Sequence, residues 1–252
     1  MNKRKLFIAL LVLAVVLTFV FVFYKTDLFS KVFNPSIPAP VPYRETSITT
    51  SSPKPITTNT TVLTKEEINL DVPFTSQAPS LNWDQPYQDF CEEASILMAV
   101  QYVRGELIPN TSFAEEKMFA IMDFEIKKFG YHIDTSVEEV AIIFREFYGI
   151  KAIKIVYDPT VEDIKKALVE KKAVVVPAAG RQLFNPYFTP PGPLYHMLVI
   201  KGFTKDGNFI TNDPGTRRGA NFIYKPDILM NAIHDWNGGD VYNGRKVIII
   251  VG

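Results

Sequence analysis

Nineteen consecutive residues, Leu6 to Tyr24, read LFIALLVLAVVLTFVFVFY and carry no charge. At ~1.5 Å per residue a helix over this run is roughly 28 Å long, close to the hydrocarbon thickness of a bilayer. The run is expected to be a membrane span, so the rest of the chain has to be organised around it. A cleaved signal peptide has a shorter apolar region, about 7–15 residues, closed by a small-residue cleavage site; Phe21, Phe23 and Tyr24 do not supply one. Lys3, Arg4 and Lys5 all precede the run. Positive charge on that side places the N-terminus in the cytoplasm and everything after Lys25 outside. Residues 1–25 therefore read as a cytoplasmic tip and single-pass signal anchor.

Residues 26–67 are rich in Pro, Ser and Thr and show no sustained periodicity. Pro38, Pro40 and Pro42 in alternation favour extended polyproline-like backbone over helix or sheet, so this stretch is expected to be a disordered tether. Asn59 stands in an Asn-Thr-Thr glycosylation acceptor. Residues 68–252 are long enough for one domain with its own core. The chain has 27 basic and 27 acidic residues and no basic run beyond the N-terminal tip, which excludes nucleic acid as an expected partner. Its one cysteine, Cys91, rules out an intramolecular disulfide or a Cys-x-x-Cys metal site. No repeat, glycine-rich phosphate loop or metal-ligand cluster is visible, and no cofactor is expected.

Within 68–252 helical patterns come first. One starts at Cys91, where Ala94, Leu97, Met98 and Tyr102 recur at helical spacing; others run from about Ser112 to Lys128, from a Ser136 cap with Glu139 three residues on, and from about Thr160 to Glu170. Short β-rich runs complete the domain: KAIKIVY, AVVVPAA, HMLVIKGF, NFITN, NFIY and KVIIIV. A helical half carrying the cysteine and a sheet half carrying His196 is an α+β plan.

Cys91 sits where an irregular segment turns into its helix, and unpaired N–H groups at such a point stabilise a thiolate. A lone cysteine is equally at home as a buried core residue. His196 opens HMLVIKGF, which leads through Asp206-Gly207, a strong hairpin signal, into NFITNDPG. With a two-residue loop Asp213 lies opposite Ile200, on the same face as His196, while Asn212 points to the other side. Four residues along a strand still separate Asp213 from His196 by ~13 Å, so a wider loop or a bulge is needed to join them. Taken singly, His196 suits a half-buried strand position and Asp213 a turn before Pro214. Together with Cys91 they supply nucleophile, base and orienter. His132 and His234 each lack a following strand with a carboxylate.

VPFTSQ at Val72 to Gln77, the Cys91 helix, the YHMLVIKGF strand and the NDPG turn together resemble the papain-like cysteine peptidases. They are most similar to the branch containing the double-glycine leader peptidase domains of bacteriocin exporters, family thirty-nine of the cysteine peptidases. The resemblance spans nearly the whole domain. It implies a papain-like fold, Cys91 as nucleophile, His196 as general base, Asp213 as orienter of the imidazole and Gln77 as side-chain oxyanion donor, with Gln85 and Gln88 as rivals nearer in sequence. Members of that family often follow the cysteine with glycine and a small residue or proline, whereas Glu92 and Glu93 follow here. Two carboxylates in the first turn suit the helix dipole but oppose a thiolate. If both faced solvent, screening would weaken that field.

The loop from Gly180 to His196 holds Phe184, Tyr187, Phe188, Pro190, Pro191 and Pro193, which suit either a cleft wall or packing on the core. Trp83 has the same two readings, and Trp236 reads as structural. The expected function is a membrane-anchored extracytoplasmic thiol hydrolase acting on a peptide or protein, with the membrane engaged through residues 6–24. The alternatives are a catalytically silent papain-like module that binds peptides or wall polymers, and a cell-wall amidase or transpeptidase using the same residues. No transporter segment accompanies the domain, so export-coupled cleavage is not implied. The oligomeric state is not encoded in any feature read above.

Overall fold

The computed structural model describes residues 36–43 and 66–252. The apolar run at 6–24 and most of the expected tether lie outside the described residues. None of the described helices is long and apolar enough to cross a membrane. Pro38–Gly252 forms one compact unit, and it is α+β.

Eight strands make one sheet: β1 (Pro40–Val41), β2 (Ile68–Leu70), β3 (Ile153–Tyr157), β4 (Ala173–Ala179), β5 (Tyr195–Phe203), β6 (Phe209–Asn212), β7 (Phe222–Tyr224) and β8 (Val247–Val251). Their order is β1-β2-β5-β4-β8-β3, with β6 paired to β5 and β7 paired to β6. Every residue of β4 and β5 is buried. That explains why both read as continuous apolar runs rather than alternating ones: helices and loops cover both faces of the sheet centre. At Gly202 a Cβ would come 2.1 Å from Ile68 O. Only glycine lets β2 lie against β5 there, and any side chain would push the edge off.

The helices are α1 (Cys91–Arg104), α2 (Thr111–Phe129), α3 (Val137–Ile142), α4 (Val161–Val169) and α5 (Pro226–Ala232). Asn110 caps α2 by accepting from Phe113 N, and Thr160 caps α4 by accepting from Asp163 N. α3 opens with the Ser136–Glu139 capping box. Gly105 and Gly130 end α1 and α2 in left-handed conformation, which costs glycine least. Helix α1 packs on β5 and β4, and its residues from Cys91 to Tyr102 are all buried. The helix carrying the cysteine is thus the central helix of the core, not a surface helix with one apolar stripe.

Two expectations need correction. Pro38–Tyr43, expected to belong to a disordered tether, is part of the compact unit: β1 runs parallel to β2, and Asp71 N donates to Val41 O at 2.8 Å. The hairpin after His196 is present, but its loop is wider than two residues, with Phe203 facing Phe209 and Thr204 N bonded to Asn208 O. A second register shift between Ile200 and Gly202 then sets Ile200 opposite Thr211 and Val199 opposite Asn212. Each one-residue shift flips the facing of the strand, so two restore it. Continuing that register brings Asp213 level with Leu198, about 7 Å from His196 along the strand instead of ~13 Å.

Candidate active site

Asp213 leaves the end of β6, and the turn through Pro214 and Gly215 closes the remaining distance. Its Oδ1 lies 2.8 Å from His196 Nε2 and accepts from Gly215 N at 3.0 Å. Its Oδ2 accepts from Tyr224 OH at 2.6 Å and from Asn185 Nδ2 at 3.0 Å. Burial alone would raise this carboxyl, yet the imidazole, the tyrosine and the Gly215 N–H hold it below the usual aspartate range. The carboxylate is therefore ionised, and its Oδ1 accepts from a hydrogen on Nε2. A neutral His196 ring then presents an unprotonated Nδ1.

Space for that ring depends on glycine: a Cβ on Gly215 would stand 2.8 Å from His196 Cε1 and 2.8 Å from the Phe188 ring. Phe188 packs edge-on against the imidazole, with centroids 5.3 Å apart. Asn212 faces away, its Nδ2 donating to Val72 O and Pro73 O.

Cys91 is the first residue of α1, and its neighbour Phe90, fully buried, anchors the helix start by packing edge-on against Tyr87 and Phe119. Cys91 and His196 line one cleft of about 540 Å³ together with Gln77, Trp83, Gln88 and Phe188. The thiol does not bond to the imidazole; it donates to Glu92 Oε2 at 2.9 Å. Burial, then Glu92 and Glu93, push the thiol up, while the Met197 N–H on the sulfur pulls the other way. The resting site holds a thiol, not the thiolate that a helix N-terminus alone would favour.

The acidic residues after the cysteine do not face solvent. Glu92 and Glu93 are 1% and 0% exposed. Glu92 Oε1 accepts from Thr135 N at 3.1 Å. Burial raises both carboxyls well above the usual range, and raises Glu125 of α2 to about 11 with help from Glu93. Their charge is removed by burial instead of being screened by water. Asp134, also on the cleft wall, is raised to about 6 by burial and by Asp89.

Gln77 reaches the cleft, but its Nε2 donates to Tyr87 O at 3.0 Å and to Gln88 O at 2.7 Å. Both amide hydrogens are engaged at rest in holding the short 3₁₀ turn Tyr87–Asp89 that feeds α1. Of the rivals, Gln88 lines the cleft, and Gln85 is not among its lining residues. His132 stands 3.7 Å from Glu93 and His234 bonds to Gly244 O, both outside the cleft lining. Trp83 is a cleft residue, 38% exposed. Of the loop's aromatics and prolines, Phe188 and Pro193 face the cleft, while Phe184 is 72% exposed. Trp236 packs against Tyr195.

Asn185, Gly215 and Tyr224 escaped the sequence reading. The Asn-Asp-Pro-Gly motif contained one of them; the other two join Asp213 only through tertiary contacts 28 and 11 residues apart.

An α+β domain that sets a buried cysteine at a helix start beside a histidine–aspartate pair on a sheet has the layout of a thiol hydrolase fold. The sequence from residue 69 to 238 matches the Peptidase_C39 like family, and the chain belongs to that family. A crystal structure assigned to a C39-like peptidase from Bacillus anthracis is similar at 16% identity, covering 75% of this chain and 98% of that one, with a TM-score of 0.49. No curated protein matches the chain.

Proposed function

We propose that this chain is a cysteine peptidase anchored by residues 6–24 and acting outside the cytoplasm, with Cys91, His196 and Asp213 as its triad. The observation that carries the reading is the His196 ring held through Nε2 by an ionised, four-donor Asp213, with Nδ1 free in the cleft that also contains Cys91. In this reading the S–H bond of Cys91 breaks as sulfur attacks a peptide carbonyl, and the proton passes to Nδ1. The carbonyl electrons move to oxygen. Collapse expels the amine with the proton from the imidazolium, and water then attacks the thioester to release the acid and restore the thiol. The Cys91 N–H, at a helix start without a side-chain cap, serves in this reading as a donor to the oxyanion. Gln77 joins it only by releasing one of its two carbonyls.

The second reading, a silent peptide-binding module, is favoured by one observation: the thiol bonds to Glu92 and not to His196. Labelling decides between them. Cys91→Ala and His196→Ala should abolish turnover of peptides, and His196→Ala should slow alkylation of Cys91 by iodoacetamide near pH 6. Equal alkylation of Cys91 in the unsubstituted protein and in His196→Ala, with no turnover, supports the silent module. Product analysis on peptides against wall fragments separates a peptidase from an amidase. Protease added to intact cells should clip residues 44–65; protection of that segment would contradict the external placement.

A further inference from the structure

Glu92 is the one carboxyl within hydrogen-bond reach of the nucleophile, and its geometry is fixed from both ends. Oε1 accepts from Thr135 N at 3.1 Å and Oε2 receives the Cys91 thiol at 2.9 Å. Proton occupancy therefore changes only at Oε2, the oxygen against the sulfur. The groups facing Glu92 are Cys91 and Glu93 of its own helix, Glu125 from α2, Asp134 from the loop before α3, and Tyr195 from β5. Two imidazoles complete the surroundings, His132 with Nδ1 3.7 Å from Glu93 Oε1 and His196 across the cleft; among the described residues no lysine or arginine forms an ion pair with Glu92, Glu93, Glu125 or Asp134.

If Oε2 is ionised, removing the thiol proton leaves two anions 2.9 Å apart in a buried site, which forbids the thiolate. If Oε2 carries a proton, the same side chain donates O–H to the sulfur and stabilises it.

We propose that Glu92 is a catalytic residue of this site, a carboxylic acid that must be protonated for Cys91 to become a nucleophile. This rests on the cysteine peptidase reading above. The reactive state then contains one proton more than a bare thiolate–imidazolium pair. When the thiol proton moves to His196 Nδ1, the proton on Glu92 Oε2 stays and its O–H bond turns from spectator to donor; no group outside the site is needed. Burial favours that proton, since it raises the Glu92 carboxyl well above the usual glutamate range.

A second consequence is that loss of this proton, not titration of the thiol, limits reactivity on the alkaline side. Glu92→Gln is the decisive variant, because its amide can keep the Thr135 bond through oxygen and offers the sulfur an N–H that cannot be lost. Iodoacetamide rates and peptide turnover are measured from acid to alkaline pH in the unsubstituted protein, in Glu92→Gln and in His196→Ala. In the unsubstituted protein the rate should pass a maximum and fall on the alkaline side, while Glu92→Gln should hold its rate. The ratio between them should grow about tenfold per pH unit, the signature of one proton. Superimposable profiles for the two would overturn the proposal. So would an unsubstituted rate that climbs to a plateau like an ordinary thiol, a result that needs no folded variant. Loss of rate in His196→Ala with superimposable Glu92→Gln profiles sinks Glu92 alone. A His196→Ala profile identical to the unsubstituted one sinks the cysteine peptidase reading itself.

Discussion

Asp213→Asn tests the strand end that brings His196 and Asp213 together. The carboxylate is fully buried, and four donors reach it from His196, Gly215, Tyr224 and Asn185. Opposite charges 2.8 Å apart interact by about 6 kcal/mol at an effective dielectric near 20. The substituted amide oxygen still accepts from Nε2, so part of that survives as a neutral hydrogen bond. A net loss of about 3–4 kcal/mol in stabilising the imidazolium corresponds to roughly 10²–10³-fold in kcat/KM.

Stability should report the same pair. Because the folded carboxyl sits below its usual range, its contribution is present above the unfolded value and is lost as pH falls through the folded one. Urea melts of the unsubstituted protein and the variant should therefore differ most near pH 7 and converge as pH falls below the ordinary aspartate range. Taking the difference matters, since Glu92, Glu93, Glu125 and Asp134 titrate in the opposite sense. Equal stability at neutral pH, or a larger rate defect in Asn212→Ala than in Asp213→Asn, would refute the assignment.

Glu125→Gln should stabilise the domain in alkali. A raised folded pKa of about 11 means that ionisation destabilises progressively from about pH 4.5 upward, so thermal melts should show the variant above the unsubstituted protein at pH 8–9 and level with it at pH 4, gaining roughly 2–4 °C per kcal/mol recovered. Gln77→Ala removes two part-buried hydrogen bonds to Tyr87 O and Gln88 O and should cost about 1–3 kcal/mol in a denaturant melt; a selective fall in kcat of roughly 10²–10³ with unchanged stability would instead return Gln77 to the oxyanion role. Gly215→Ala forces a methyl group against His196 and Phe188, so peptide turnover should fall; turnover equal to the unsubstituted protein would mean that the ring has room to move.

The helices were legible because their ends carry local chemistry: caps at Asn110, Ser136 and Thr160, and left-handed glycines at 105 and 130. Cys91 at a helix start follows from the same local pattern. The His196–Asp213 geometry was legible only in part. Asp-Gly announces a hairpin, yet nothing in five or six residues states that the loop is wide and the partner strand bulged at Lys201.

The burial of Glu92 and Glu93 was not legible for a different reason. A polar residue in the first turn of a helix ordinarily faces water, but α1 is enclosed on all sides. Tertiary burial overrode the pattern. Asn185 and Tyr224 needed long-range contacts that no spacing encodes.

The same override explains the stretch read as a tether. Alternating prolines argue against a sheet because proline has no N–H to donate, and that holds for any strand needing partners on both sides. β1 needs one partner. Pro40 faces Asn69 and Val41 faces Leu70 in the register with β2, where Val41 supplies a carbonyl to Asp71 N. Asn69 Nδ2 secures Pro38 O at 2.9 Å, and Tyr43 packs edge-on against Tyr102 of α1. As the last strand in the order, β1 has no strand on its other side among the described residues. An open edge of this kind is a template for pairing with another chain, and proline is among the residues that blunt it. The composition that argued against sheet is thus what suits this segment to a sheet edge, where a missing donor protects the fold.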